Sequence, residues 1–387
     1  MRIIYISSSL IPSRQANTIH VLNQVNAFAK LGFKVELFIA SSQLNNNILL
    51  LDIKKSFNLF NKNIIFHNTY TKFRRGNAFF IALKSSLYSF KLNTRNNLII
   101  SRNIYAAFIL GFVFRKKIIY ETHTLERGLR GIMQKILLNN NLVETVVITN
   151  YLRKYLIRHH KTEIKKVSIL PDAATAGLKR FKKKKKLKYL KGFLNEDYKK
   201  YDLICGYFGH LYTGRGIDVI CELSKRNPNF MFLIYGGSEE DIKKTKRRYQ
   251  NNNLFLKGFI EHNQSLIAMR CMDVLLMPYK EIVSVALKGF NTAKWMSPLK
   301  MFEYMSAGVP IIASDLPALK EVLEHNFNCL LAPPDNYQKW NKALNIIYKN
   351  KSLAKFISKN SFDGYVKKYN WEKRATDFIG IYKKNIS

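Results

Sequence analysis

Lys300 and Glu303 are the only charges in the mostly apolar stretch MSPLKMFEYMSAGVPIIAS, residues 296–314. Ser297 is a favoured helix N-cap, Pro298 suits a first helical position, and Gly308 before Val309-Pro310 is a natural stop, so the spacing predicts a helix over 298–307. The first N–H groups of such a helix, those of Leu299 and Lys300 above all, have no intrahelical partner, and with the helix dipole and the Lys300 ammonium they would receive a phosphate. Glu303 lies one turn further in on the same side. A carboxylate there is misplaced for phosphate but well placed for neutral donors such as sugar hydroxyls. Diphosphate at the helix start and ribose on the carboxylate would make a nucleotide site. The competing reading is an i,i+3 surface ion pair worth about 0.2–0.5 kcal/mol.

A second piece points the same way. In YFGHLYTGRGID, Gly209 closes an apolar run, Arg215 stands between Gly214 and Gly216, and a helical pattern begins. Such a loop brings backbone close to a phosphate while Arg grips it, although a glycine turn with an exposed Arg reads equally well. The runs YGG (Gly236, Gly237) and KGF (Gly258) also end in glycine, where a ring or backbone could come close.

These groups need a scaffold, and the chain supplies an alternating one. RIIYISS is a β-branched run, NTIHVLNQVNAFAKLG repeats apolar residues at helical spacing and stops at Gly32, and KVELFIA is a strand again. Further runs, NIIFHN, NLIIS, KKIIYE, ETVVITN and KVSILPD, imply one parallel sheet covered by helices over residues 1–172. A basic linker over 173–201 follows. The rhythm then restarts with LICGYFG, FMFLIYGG, NLFLKGF, DVLLMPY, VPIIAS and CLLAP, a second Rossmann-like domain over 202–370, and a helix closes the chain at 371–387. Ligands of such sheets bind beyond the carboxyl ends of the strands, where the glycines and Arg215 fall. Neither half carries GxGxxG directly after a strand, which weakens a dinucleotide-dehydrogenase reading. Asn17 reads as the N-cap of the first helix.

At 387 residues and 47% hydrophobic content the chain is globular, and two domains are expected. No run reaches the ~18 apolar residues of a spanning helix. The N-terminus reads as a first strand rather than a secretory signal, which points to the cytoplasm. Cys205, Cys221, Cys271 and Cys329 are scattered without a CxxC pair, so neither zinc nor a disulfide framework is suggested. The net charge of +38 is extreme. Base-composition bias accounts for part of it, yet residues 1–172 hold 26 Lys and Arg against 7 acidic residues, and 179–191 hold nine basic residues and no acid. A polyanionic partner is implied: phosphates, nucleic acid or an anionic membrane.

The order GHLYTGRGID, FLIYGG, LFLKGFIEHNQ, DVLLMPY, SPLKMFEYMSAGVPIIASDLPALKEVL, NCLLAPPDN and NWEKRA, with ANTIHVLNQVNAFAKLGFKVELF near the N-terminus, resembles the retaining GT-B glycosyltransferases of family four. The likeness spans nearly the whole chain. It implies an α/β fold of two Rossmann-like domains facing a central cleft, with the C-terminal helix crossing back to the N-terminal domain. It further implies a nucleotide-sugar donor on the C-terminal domain, an acceptor on the N-terminal one, and transfer with retained anomeric configuration. Arg215 matches the basic residue that holds the diphosphate, and Glu303 the ribose-binding carboxylate. The backbone at Ile260 matches the base-recognition loop, and His210 stands where many members have Arg. The donor set on this reading is Gly209, His210, Arg215, Gly216, Gly236, Gly237, Ile260, Ser297, Pro298, Leu299, Lys300 and Glu303. Arg215 and Lys300 count as catalytic. So does His123, at the end of KKIIYETHT, although a lone histidine is more often structural. Many members carry a second Glu eight residues before the ribose-binding one. Position 295 here is Trp, as the SPLK.FEY branch often lacks that Glu, and Glu281 is a candidate substitute. No Asp-x-Asp stands as a metal site, and the resemblance implies neither metal nor cofactor.

The segment YTKFRRGNAFFIALKSSLYSFK interleaves Lys72, Arg74 and Arg75 with Phe73, Phe79 and Phe80, a pattern suited to an anionic membrane surface. The expected protein is thus a peripheral enzyme of the inner membrane face that extends a glycan or glycolipid acceptor. Two rivals remain at this stage. One is a non-catalytic nucleic-acid or polyanion binder, although no recognisable nucleic-acid module appears. The other is a nucleotide-sugar 2-epimerase of the same fold.

Overall fold

The computed structural model describes residues 1–13, 15–41, 45, 49–50, 53, 61–70, 76–94, 96–162, 166–175, 181, 183–193, 198–283 and 291–385. It divides into two compact units, Met1–Asp172 with Asn370–Ser387, and Ala173–Tyr369.

The first unit runs β1 (Arg2–Leu10), α1 (Ala16–Lys30), β2 (Lys34–Ser41), β3 (Ile64–Tyr70), α2 (Asn77–Phe90), β4 (Asn97–Ser101) and α3 (Ile104–Phe108), which continues into a π turn, Ile109–Val113. β5 (Ile118–Thr122), α4 (Gly128–Leu138), β6 (Val143–Val147), α5 (Asn150–His160) and β7 (Val167–Ile169) follow. All seven strands are parallel in the order β3-β2-β1-β4-β5-β6-β7. Helices cover both faces of such a sheet, which is why Ile3, Ile4 and Ile6 are all fully buried on consecutive and alternate positions.

The second unit contains α6 (Lys183–Phe193), β8 (Leu203–Phe208), α7 (Ile217–Arg226), β9 (Phe230–Tyr235), α8 (Glu239–Arg248), β10 (Leu254–Gly258), α9 (His262–Met269) and β11 (Val274–Met277). It continues with α10 (Leu299–Ala307), β12 (Ile311–Ser314), β13 (Leu330–Ala332), α11 (Tyr337–Lys349) and α12 (Lys351–Lys368). Its sheet is also parallel, in the order β10-β9-β8-β11-β12-β13. The closing helix α13 (Trp371–Asn385) belongs to the first unit and packs on α1, where Phe28 and Phe378 meet edge to face.

The expected linker over 173–201 is instead part of the second unit. Leu190 of α6 is buried in its core, and Lys186 Nζ bonds Asp273 Oδ1 at 2.5 Å and the Met272 carbonyl at 3.1 Å. Each sheet reverses its strand order once, at β1/β4 and at β8/β11. Loops leaving the two strands on either side of such a reversal diverge and open a crevice, so each unit has one preferred ligand position.

Two helix starts differ from expectation. Pro298, with φ −75° and ψ 127°, is the N-cap of α10, and Ser297 sits buried one residue earlier. The Pro298 carbonyl accepts the Met301 N–H at 2.9 Å, which is the N-cap's backbone role, and a proline's fixed φ suits that position as well as the next one. Asn17 is inside the first turn of α1, whose N-cap is Gln15. Its side-chain amide donates instead to Ser9 Oγ at 2.6 Å, an acceptor offered by the end of β1.

Candidate active site

In the second unit the site is assembled at the β8/β11 reversal. Glycine at 209 makes the approach of α10 possible: its φ is +147°, and a methyl group built there would fall 2.6 Å from Lys300 Nζ. Gly236 matters for the same reason, because a Cβ there would collide with the Gly209 carbonyl. Backbone bonds from Gly209 N–H to Tyr235 O (2.9 Å) and from Gly236 N–H to Gly258 O (2.6 Å) tie three strand ends together. Tyr304, buried in α10, accepts the Phe208 N–H at 2.9 Å and fixes the helix against β8.

On this frame the Lys300 ammonium lies 4.1 Å from the Tyr207 ring centroid and 5.2 Å from that of Tyr279. The Arg215 guanidinium lies 5.2 Å from the same Tyr279 ring, and its Nη1 donates to the Tyr279 hydroxyl at 3.0 Å. Two cations therefore share one aromatic ring, and among the described residues no carboxylate is bonded to either. Burial and the Arg215 charge hold the Lys300 ammonium well below its usual range, only partly opposed by Glu303. Cation–π contacts of this kind are weak beside a charge-assisted hydrogen bond to phosphate. The exposed His210 is also held below the usual imidazole value by desolvation and by Arg215 and Lys300.

Glu303 does not pair with Lys300, which disposes of the surface ion pair. Its Oε1 lies 2.7 Å from Nε2 of His262, the first residue of α9. Burial opposes a charge on His262, but the hydrogen bond and charge of Glu303 prevail and raise its pKa. Ile260, two residues earlier, is partly buried against the same core. The structure thus brings Gly209, Arg215, Leu299, Lys300 and Glu303 together and adds His262, Tyr207 and Tyr279, which sequence reasoning missed. His262 is 41 residues from Glu303 and belongs to no local pattern. Glu281 is exposed beside 284–290, which lie outside the described residues, as do Lys72, Phe73, Arg74 and Arg75. Phe79 and Phe80 are both exposed.

In the first unit the centre is Glu121, the second-to-last residue of strand β5. Its carboxylate is fully buried, yet it accepts from Tyr5 Oη on Oε2 (2.9 Å) and from His123 Nε2 (2.9 Å) and Arg374 Nη2 (2.8 Å) on Oε1. His20 Nε2 is 3.2 Å from the same Oε1, and His20 Nδ1 is 2.9 Å from Asp172 Oδ1. Burial would raise the Glu121 pKa, but Arg374, Arg102 and the histidines drive it well below the usual carboxylate value. Arg374 comes from α13 and is itself buried; it also donates to Gln24 Oε1 (2.6 Å) and to the Pro171 carbonyl (2.8 Å). Sequence reading had located Arg374 only as part of the NWEKRA motif.

This network fixes His123. Burial and the Arg102 charge push its pKa down to about 4 against the pull of the Glu121 hydrogen bond, so the ring is neutral near neutral pH. Some 22% of its side chain stays exposed, and Nδ1 is 3.4 Å from Arg102 Nη2. His20, His123 and Asp172 offer ligand atoms within 4.8 Å of one another, a spacing that a metal ion could use. Here those atoms are engaged with each other and with Glu121, and two guanidinium groups already supply positive charge.

Residues 196–363 match the family model for glycosyl transferases group 1. A Haemophilus influenzae protein named as an uncharacterized glycosyltransferase is 28% identical over 159 residues, 40% of this chain and 41% of that protein. The alignment thus spans about two fifths of that relative's length. The fold is shared over almost the full length with Anabaena HepE in complex with UDP and glucose, at TM-score 0.74 and 11% identity, covering 99% of both chains. It is shared too with sucrose-phosphate synthase from Thermosynechococcus elongatus, at TM-score 0.74 and 18% identity, covering 99% of this chain and 98% of that one. The chain therefore has the GT-B architecture of two Rossmann-like domains. Its second unit carries the match to the glycosyl transferases group 1 model.

Proposed function

We propose that this protein is a retaining, metal-independent glycosyltransferase that moves a sugar from a nucleoside diphosphate donor to a lipid-linked or surface-polysaccharide glycan. The observation that carries the reading is the convergence of Lys300, Arg215 and Glu303 at the start of α10. Two under-neutralised cations wait beside the N-terminus of α10, and a carboxylate held by His262 stands one turn away. The HepE structure, which contains UDP, supports a nucleotide on this fold.

In this mechanism the bond from the anomeric carbon to the diphosphate oxygen breaks while the acceptor oxygen bonds to the same face. The acceptor proton passes to the departing phosphate oxygen. Arg215, Lys300 and the α10 N–H groups meet the charge that develops on the leaving group, the largest electrostatic contribution available to this chain. His210 and Gly216 line the phosphates, Gly237 and Ile260 the nucleoside side. Neutral His123, whose Nδ1 is only loosely held by Arg102, accepts a hydrogen bond from a sugar hydroxyl. We place the enzyme on the cytoplasmic face of a membrane, where nucleotide sugars are made and lipid-linked acceptors are exposed.

The test is a thermal-shift panel of nucleoside diphosphates and their sugars against wild type, Arg215→Ala and Glu303→Ala, followed by nucleotide-release assays with and without EDTA. One nucleotide class should stabilise wild type and much less either variant, and release should require an acceptor and survive chelation. Nucleotide release without acceptor would point to the epimerase chemistry instead. No stabilisation by any nucleotide would remove the donor site.

A further inference from the structure

Helix α2 is built inside out. Its buried positions are Ile81, Ala82, Ser85, Ser86 and Ser89, so mostly small or hydroxylated side chains face the protein. Phe79, Phe80, Leu83, Leu87 and Phe90 face outward, with Phe80 58% and Leu87 59% exposed. They recur at three- and four-residue steps, which places them on one stripe. A surface helix in water has the opposite arrangement.

The stripe continues onto its neighbours. α3 packs against both α2 and α4, and the π turn touches both. Phe112 and Val113 of that turn are exposed, and the Phe90 and Phe114 rings join the two elements at 4.8 Å. α4 adds Ile132 and Leu129, the latter 70% exposed. Nine of the twenty large hydrophobic side chains exposed among the described residues lie on this one face. Scattered exposed apolar residues need no explanation, but a contiguous group does.

Charge decides what covers it. From Ile53 to Tyr120 the sequence has thirteen Lys and Arg and no acidic residue. Lys84, Lys91, Arg115 and Lys117 are exposed next to the apolar positions in the chain; beside Leu129, Arg127 is exposed and Arg130 pairs with Glu126 at 2.6 Å. A second copy of the chain would set these cations against identical cations. An anionic headgroup layer neutralises them while the rings and leucines enter the boundary below. Among the described residues no helix is long and apolar enough to cross a bilayer, which agrees with a contact at the surface.

We infer that the face formed by α2, the π turn and α4 seats the first unit on an anionic lipid bilayer. This deepens the membrane location proposed above and names its surface. Leu129 is six residues beyond His123, a chain reach of at most about 20 Å, so the docked face lies near that histidine.

Co-sedimentation of the full chain with phosphatidylcholine vesicles, and with vesicles that also contain phosphatidylglycerol, tests the inference. Wild type should bind the mixed vesicles, less as salt rises, and pure phosphatidylcholine weakly. Leu83→Glu/Leu87→Glu and Leu129→Glu/Ile132→Glu should each weaken binding about tenfold or more, the loss expected when two apolar anchors become charged. Their thermal stabilisation by nucleoside diphosphate should be unchanged, which shows an intact fold and donor site. Equal vesicle binding by wild type and both variants overturns the inference. So does a change from dimer to monomer in sedimentation velocity with vesicle binding unaltered, because the face would then join two copies. Vesicle binding as expected with no nucleotide response in wild type would sink the transferase reading and leave this surface standing.

Discussion

Arg374 Nη2 lies 2.8 Å from Glu121 Oε1, although 253 residues separate them in the chain, and both side chains are buried. The contact ties the last helix to the strand end that holds His123. Arg374→Leu removes the main compensating charge of a carboxylate that cannot reach water, and should destabilise the protein by about 3–5 kcal/mol. Replacing both partners, Glu121→Leu with Arg374→Leu, should restore part of that loss, because no orphaned charge remains. Denaturant midpoints decide the matter. A cost for Arg374→Leu below about 1 kcal/mol would mean that α13 is held by its apolar contacts with α1 alone.

Donor binding should take up a proton. The Lys300 ammonium is disfavoured in the free protein by burial and by Arg215, and a bound diphosphate reverses that balance. The affinity for a nucleoside diphosphate should therefore fall as pH rises through the depressed Lys300 value, since the free protein increasingly lacks the proton that the complex holds. Calorimetry in two buffers of different ionisation enthalpy measures the uptake directly. Lys300→Met should bind more weakly and show no dependence on the buffer; an unchanged dependence in that variant would assign the proton elsewhere.

The sequence showed the parts of this site that are local. Lys300 and Glu303 share one helix, and Arg215 sits in its own glycine loop, so local spacing marked them as candidates and the family resemblance tipped the balance against a surface reading. The alternation of apolar runs likewise gave all thirteen strands of the two sheets apart from their exact ends. What stayed hidden is non-local. His262 reaches Glu303 from another helix, and Arg374 looks like any cation on an amphipathic tail until its partner is seen. Ser297 misled because the Ser-Pro pair satisfies two helix-start preferences at once, and only backbone angles distinguish a proline at the N-cap from one in the first turn. Phe79 and Phe80 of α2 stood out in the sequence, but the extension of their exposed stripe through Leu83, Leu87 and Phe90 did not, because periodicity does not say which side meets water.

Gly209→Ala should damage the donor site more than the fold. Its φ of +147° is strained for any residue with a Cβ, and the new methyl would displace the Lys300 ammonium from above Tyr207. Strain of this kind costs about 1–3 kcal/mol, which a domain of this size tolerates. Affinity for both pyrophosphate and nucleoside diphosphate should drop about tenfold or more, as expected when a charge-assisted contact is lost. Retained pyrophosphate binding in a folded Gly209→Ala protein would show that Lys300 does not reach the phosphates.

His262 offers a separate test of the carboxylate. By holding Glu303 Oε1 at 2.7 Å it fixes the carboxylate that the proposed donor site assigns to the pentose. His262→Ala should weaken nucleoside diphosphate binding about fivefold, the net worth of one hydrogen bond, and leave pyrophosphate binding as it was. The same pair has a pH signature. The His262 pKa is raised in the folded protein, so its contribution to stability is complete below the unfolded value of about 6.5 and is lost as pH rises through the raised one. The stability gap between wild type and His262→Ala should then be wider at about pH 5.5 than at about pH 8.5 in denaturant titrations. A gap that widens with pH would mean that Glu303 does not stabilise the charged imidazole, and the carboxylate would need another anchor before it could be assigned to the ribose.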